Sequence, residues 1–492
     1  MSKRPHRRHQ RLLTASCALL LALPLAAADG RPPVTGFDLP ELGQPADLIA
    51  DPALERRLGQ AWLRQLQATT PLWRDDLVRD YIEALLYRLA AQADFSAPQF
   101  SLVVVDDRQV NAFAVPGGVV GINTGLILTA ESEDEVASVL AHELGHLSQR
   151  HFARSQDAGK YNQWIALGGL LASIAAAAAG GGSGSDLGLA AGLSAQAAVA
   201  QNQLRYSRLF EQEADRLGLQ TLTRSGYDPR AMPVFFLRME RSSRQLGYIP
   251  EFLLTHPLSS SRLADLERRV ATSERKLSAR SPDFSLAQVR LQVAYSASPD
   301  ELVTAYRKEV DSGRASQASQ LGLTLALLRT SQLPAARASL APLLAADPDR
   351  IDYLLTASDI ALAERDYDTA WKQADSAWSL YPDRRAALER LTRAGLAAGK
   401  ADLLRPRLDR ALRRYPNDLR IWRQLADCAA SQKDSLTVFR ARAEILFLSG
   451  RLRLAEEQIN NALRLARDNY SLTAQLNKRL REMRELDEEF RG

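Results

Sequence analysis

The spacing of apolar and polar residues divides the chain into a mixed first half and a helical second half. From about Pro52 to Ala93 apolar residues recur at helical intervals. Phe100-Ser-Leu-Val-Val-Val105 is a short apolar run closed by Asp106-Asp107, the pattern of a buried strand. Asn111 to Gly118 and Val119 to Leu128 predict further short strands about a Pro-Gly-Gly turn. Pro116 has no amide proton to donate, so its strand belongs at a sheet edge. Val136, Val139, Leu140, Leu144 and Leu147 then mark one face of a helix. It begins near Ser132, which has capping-box spacing to Glu135. Another helix is expected over Leu204 to Leu222.

Residues 164–200 are rich in Ala and Gly and predict two small-residue helices joined by a flexible turn. Neither arm is long enough to span a bilayer alone. Three placements stay open for this segment: a cover over the site, a core hairpin, or a membrane contact.

A polar stretch at 271–283 marks a boundary. Beyond it Pro348, Pro382 and Pro416 are spaced by 34 residues and again by 34. Each follows an apolar stretch containing small residues: Ala336, then Ala370, Ala374 and Ala377, then Ala411. Small residues let two antiparallel helices approach closely, and the period is that of tetratricopeptide repeats. After Pro416 the small residues fall out of phase, with Ala455 and Ala462 about half a unit early, which predicts one extra helix. The expected architecture is an α+β domain over about 29–270, an all-α solenoid over 284–470 and a capping helix over 471–492.

At 492 residues the chain has room for two or three domains. Its net charge of +5 has one address. Lys3, Arg4, Arg7, Arg8 and Arg11 precede an apolar run from Leu12 to Leu25 and an Ala26-Ala27-Ala28 cleavage pattern, so residues 1–28 read as a secretory signal. Without them the chain is formally neutral, which gives no support for nucleic-acid binding. Cys428 is then the lone cysteine, and no disulfide framework is possible.

The chemistry concentrates in His142-Glu143-Leu144-Gly145-His146. Four residues are about one helical turn, so both imidazoles can meet one Zn²⁺. Glu143 is placed to take a proton from an activated water and pass it to a leaving amine. A catalytic zinc needs a third protein ligand, and Glu211-Gln-Glu-Ala-Asp215 is the candidate. Glu211 would ligate, while Asp215, one turn on, would bond a ligand imidazole. Glu213 points elsewhere, and His151, five residues past His146, lies off its face; both read as structural.

His142-Glu-Leu-Gly-His146, Glu211-x-x-x-Asp215, Asn111 to Gly118, and Thr255-His-Pro257 with Arg262 together resemble a family of zinc metallopeptidases. That family includes the prenyl-protein endopeptidases and a heat-shock membrane protease. The resemblance implies a zincin-type fold, one zinc held by His142, His146 and Glu211, and Glu143 as general base. It also implies that substrate adds as a β-strand to the Asn111–Gly118 edge. With the signal and the repeats it points to a periplasmic enzyme acting on misassembled outer-membrane proteins. Its partner would be the outer-membrane β-barrel assembly machinery, with a chaperone-like role beside proteolysis. The concave face of the solenoid would recruit partner or client. Three roles stay open for His256: a blocking fourth ligand, a donor to the oxyanion, or an ordinary loop histidine. Arg262 would orient that loop. The competing reading is a non-proteolytic scaffold or chaperone whose zinc site is structural or blocked.

Overall fold

The computed structural model describes residues 52–95, 99–154, 208–246, 249–273 and 282–491. The signal at 1–28, the segment at 164–200 and most of the 271–283 linker lie outside the described residues. The first half opens with α1 (Pro52–Thr69) and α2 (Asp76–Ala90). The helical stretch expected from about Pro52 to Ala93 is thus two helices. Between the two helices Leu72 instead bridges Val105, and Asp75 starts α2 by accepting a bond from the Leu77 amide at 3.0 Å.

Strands β1 (Ser101–Val105), β2 (Ala112–Val115) and β3 (Val119–Asn123) form a sheet in the order β1-β3-β2. β3 runs parallel to β1 and antiparallel to β2. β2 is therefore an outer strand of the described sheet, as Pro116 required. Gly117 and Gly118 turn the chain with φ of +79° and +78°, a conformation open to glycine. The third expected strand is shorter than predicted. At Asn123 it gives way to helix α3 (Thr124–Thr129), whose apolar residues pack into the core.

Helix α4 (Glu133–Ser148) is the central element, buried along nearly its whole length. Its N-terminus departs from the expected capping box. Ser132 makes no side-chain cap, and the Glu135 carboxylate accepts from the Glu131 amide at 2.7 Å instead. Glu133, Asp134 and Glu135 in the first turn suit the positive end of the helix dipole. After the short α5 (His151–Arg154) come α6 (Arg208–Arg224), α7 (Ala231–Leu246), α8 (Glu251–Thr255) and α9 (Ser260–Val270). Helix α6 crosses α4 at two glycines. A Cβ on Gly145 would lie 3.0 Å from the Ala214 backbone, and one on Gly218 would lie 3.2 Å from the His142 amide. This close crossing brings Glu211 level with the two motif histidines.

Helix α10 (Pro282–Tyr295) is apolar on two faces, which explains its weak amphipathic pattern. Phe284, Ala287 and Leu291 join the core of the first half, while Leu286, Val289 and Val293 join the core of the repeats. Gln288 also donates to the carbonyls of Ile127 and Ala130. Just past the boundary expected at 271–283, α10 is therefore shared between the two cores.

The remainder is helical: α11 (Pro299–Asp311), α12 (Gln317–Arg329), α13 (Leu333–Ala346), α14 (Ile351–Ala363), α15 (Tyr367–Leu380), α16 (Arg385–Ala397), α17 (Ala401–Arg414), α18 (Leu419–Ser431), α19 (Ser435–Leu448), α20 (Leu452–Leu465) and α21 (Tyr470–Arg491). Helix starts step by 34 from Gln317 to Ile351, Arg385 and Leu419, and again from Leu333 to Tyr367, Ala401 and Ser435. The phase therefore runs on past Pro416, and no extra helix is inserted. Only the small residues shift, because α19 packs closely against α20, where Ala455 and Ala462 are buried.

The repeats are closed onto the first half through α2. Leu77 joins Leu354, Leu355, Ala377 and Ala386 in one small core. Arg385 reaches Glu83 at 2.6 Å, Arg420 pairs with Asp76, and Arg290 reaches Asp75 at 3.3 Å. The first helices of three successive hairpins, α14, α16 and α18, thus meet the chain's own helix. That stretch of the repeats is therefore covered by α2.

Candidate metal centre

Both motif histidines sit on α4 with the rings turned to one side. Their Nε2 atoms are 3.1 Å apart. Glu211 enters from α6, with Oε2 3.5 Å from His142 Nε2 and Oε1 3.4 Å from His146 Nε2. His256 follows α8, and its Nδ1 stands 3.1 Å from Glu211 Oε1 and 3.4 Å from His142 Nε2. One donor atom from each of the four lies within 4.8 Å of the others, and all four residues are buried. This placement puts His256 inside the cluster and buries it.

Glu143 lies beside the cluster. His256 Nε2 is 3.4 Å from its Oε1, yet both carboxylate oxygens are buried without a hydrogen bond among the described residues. Burial pushes its carboxyl above the usual range, although His256 and His142 pull it back. A buried carboxylate costs several kcal/mol unless something compensates it, on the order of 1–3 even for a lost hydrogen bond.

The far side of His142 faces Asp215. Asp215 Oδ1 lies 3.0 Å from its Nδ1. Arg262 grips Asp215 through Nε and NH2, both at 2.8 Å, and its NH1 reaches Glu211 Oε2 at 2.7 Å. The same NH1 donates to the Pro257 carbonyl at 2.9 Å, which ties down the loop carrying His256. Burial would lower the basicity of His142, but Asp215 and Glu211 outweigh it and raise its pKa to about 9. Glu211 is held well below the carboxylate range: burial opposes this, and His256, His142 and His146 override it. The negative potential that favours a proton here also favours a cation. Phe236 and Phe252 face His142 with ring centroids 6.0 and 6.1 Å away and complete a dry wall.

Two side chains set aside in the sequence come into this network. His151 is fully buried, with Nδ1 3.0 Å from His146 Nδ1. Glu213 accepts from His151 Nε2 at 3.0 Å. Helical spacing concealed them because α4 ends at Ser148 and Arg150 takes a left-handed turn at φ +50°. Glu55 on α1 holds that turn through the Arg150 guanidinium at 2.7 Å.

Residues 76–270 match the model of peptidase family M48. Over 459 residues the chain is 32% identical to the beta-barrel assembly-enhancing protease of Escherichia coli (strain K12), covering 92% of each. The chain belongs to peptidase family M48. It is 33% identical over 486 residues to the beta-barrel assembly-enhancing protease of Yersinia pestis, covering 98% of this chain and 99% of the relative. A shorter stretch of 187 residues is 31% identical to mitochondrial metalloendopeptidase OMA1 of Schizosaccharomyces pombe, covering 38% and 51%. The chain is a metallopeptidase with an M48 domain followed by an all-α repeat region. Among the described residues no helix is long and apolar enough to cross a membrane.

A donor set of imidazoles and one carboxylate, with a carboxylate and an arginine behind it, suits a divalent transition metal. Glu143 lies beside it, with His256 Nε2 3.4 Å from its carboxylate.

Proposed function

We propose that the chain is a zinc-dependent endopeptidase of the periplasm, held latent by His256. The observation that carries this is the convergence of His142, His146, Glu211 and His256 on one point, with the buried carboxylate of Glu143 at its side. Zinc there would polarise a scissile carbonyl and acidify a water. The remaining work falls to the chain. Glu143 takes the proton of the attacking water and returns it to the leaving amine. β2, packed along α4, receives the substrate backbone as an added strand. Asp215 and Arg262 fix the rings and the carboxylate that hold the metal.

His256 offers Nδ1 to the same point and Nε2 to Glu143, which favours blocking over an oxyanion role in this conformation. The relatives' name, beta-barrel assembly-enhancing protease, supports clients among misassembled outer-membrane proteins. It also supports the β-barrel assembly machinery as partner, and the pattern of residues 1–28 supports export. With the α2 side of the repeats taken, recruitment uses other surfaces of the solenoid. A permanently blocked scaffold is the second reading, favoured by the same His256 geometry.

Cleavage of an unfolded test protein by the zinc-loaded chain separates these. Glu143→Gln should lose about 10²-fold or more of the activity, the scale of general acid–base catalysis. His256→Ala should cleave faster than the unaltered chain. If His256→Ala cleaves no faster, the blocking role is wrong; if Glu143→Gln cleaves as well as the parent, the chemistry is wrong.

A further inference from the structure

The two metal-facing imidazoles of α4 are backed by different groups. Behind His142 stands a carboxylate; behind His146 stands another histidine, His151, on the far side of the left-handed turn at Arg150. Its ring is clamped. Phe210 stacks on it with centroids 4.5 Å apart and planes inclined by 13°. Phe210 and Glu213 lie three residues apart on α6, on a different face from Glu211 and Asp215. Arg154 closes the arrangement: it donates to Glu213 at 3.0 Å and lies over the Phe210 ring at 4.9 Å.

With both rings neutral, the donors and acceptors allow one consistent assignment of protons. The Glu213 carboxylate can only accept while ionised, and Arg154 favours that state. His151 must then carry its proton on Nε2, toward Glu213, which leaves a lone pair on Nδ1. That lone pair faces His146 Nδ1 at 3.0 Å, so His146 must donate there. A proton on Nδ1 leaves the Nε2 lone pair of His146 directed at the cluster, as a metal ligand requires.

We propose that His151, backed by Glu213, is a positioning residue that fixes the tautomer and ring orientation of His146 for metal binding. The inference rests on the zinc site of the preceding section. One helix, α6, thereby serves both ligand histidines: Glu211 and Asp215 on the metal side, Phe210 and Glu213 on the other. The length of the His146-x-x-x-x-His151 spacing is set by the turn, which needs one residue in the left-handed region before the second ring can fold back.

The test is zinc affinity of the full-length chain, measured by competition with a chromophoric chelator. His151→Phe keeps the ring and its stacking but offers no lone pair; His151→Asn keeps an acceptor near the position of Nδ1. His151→Phe should weaken zinc binding by about 10–100-fold, the range for lost outer-shell partners, and His151→Asn should recover most of that loss. Glu213→Gln, at a partly exposed site where folding is not at stake, should weaken it by a smaller factor in the same direction. Unaltered affinity in His151→Phe would overturn the proposal. So would equal losses in the Phe and Asn variants, which would mean packing alone. Should His151→Phe not fold, unchanged affinity in Glu213→Gln would overturn it. Wild-type chain that takes up no zinc would remove the metal site itself and this inference with it.

Discussion

The metal centre and the α2 cradle both bury several charged groups, and they treat them in opposite ways. Around α2 the acids are matched by arginines arriving from the repeats: Asp75 by Arg290, Asp76 by Arg420, Glu83 by Arg385. Asp418 is likewise held at 2.8 Å by Arg385. At the centre three imidazoles and two carboxylates converge, and one guanidinium, that of Arg262, reaches the group without touching Glu143. A matched cluster has nothing left to bind. An unmatched one is costly to the empty fold and is a receptor for a cation. Buried charge alone therefore does not mark a site; metal-ligating donor atoms that converge on one point do.

The matched side of this contrast breaks most severely at Arg290, which is buried and also bonds the Asp352 side chain and the Thr356 hydroxyl. Burial would raise the Asp75 carboxyl, but Arg290 and then Arg390 hold it below its usual range. Arg290→Met should leave Asp75 and Asp352 without their shared cation and destabilise the chain by about 3 kcal/mol, since removing one partner of a buried pair exposes the other's desolvation cost. A urea midpoint equal to that of the parent would show that the cradle's ion pairs contribute nothing.

A second effect of comparable size sharpens the comparison, because two acids of the cradle, Asp76 and Asp80, are imperfectly matched: burial outweighs their arginines and raises both carboxyls. Asp80 on α2 is pushed up to about 7, first by burial and then by Asp76, against Arg384, Arg79 and Arg385. Its Oδ2 faces the Ala386 amide of α16 at 3.5 Å. With the folded pKa above the unfolded one, the stability from this group is whole below about pH 4 and is lost as pH rises through about 7. At 1.36 kcal/mol per pKa unit the loss is at most about 4 kcal/mol. Asp80→Asn should accordingly unfold at higher urea than the parent at pH 8, with the gap closing toward pH 4. A gap independent of pH would assign the effect to something other than this carboxyl.

Much of the centre was legible in the sequence. His142, Glu143 and His146 carry a spacing that one helix turn converts directly into geometry, and the need for a third ligand pointed to Glu211. Asp215 was singled out by its spacing one turn from Glu211, and Arg262 by the resemblance; the structure places both behind the cluster. What stayed hidden depends on turns and contacts between distant segments. His151 is off the helix face in sequence and on the ligand in space, because Arg150 adopts a left-handed conformation that is rare outside glycine. Position 124 was expected in a strand, yet α3 begins there because the Thr124 hydroxyl donates to the Asp107 carbonyl at 2.9 Å. The 34-residue step was readable from three prolines, while the embrace of α2 was not, since it joins residues more than 200 positions apart. Local periodicity reports a helix; which surface it covers is decided by partners far along the chain.

The most direct test of the account is the zinc content and zinc affinity of the full-length chain beside Glu211→Gln. One zinc per chain, bound at least about 10-fold more weakly in the variant, is the predicted result. A chain that binds no zinc, or a variant that binds it as tightly as the parent, would contradict the claim that this buried cluster is a metal centre.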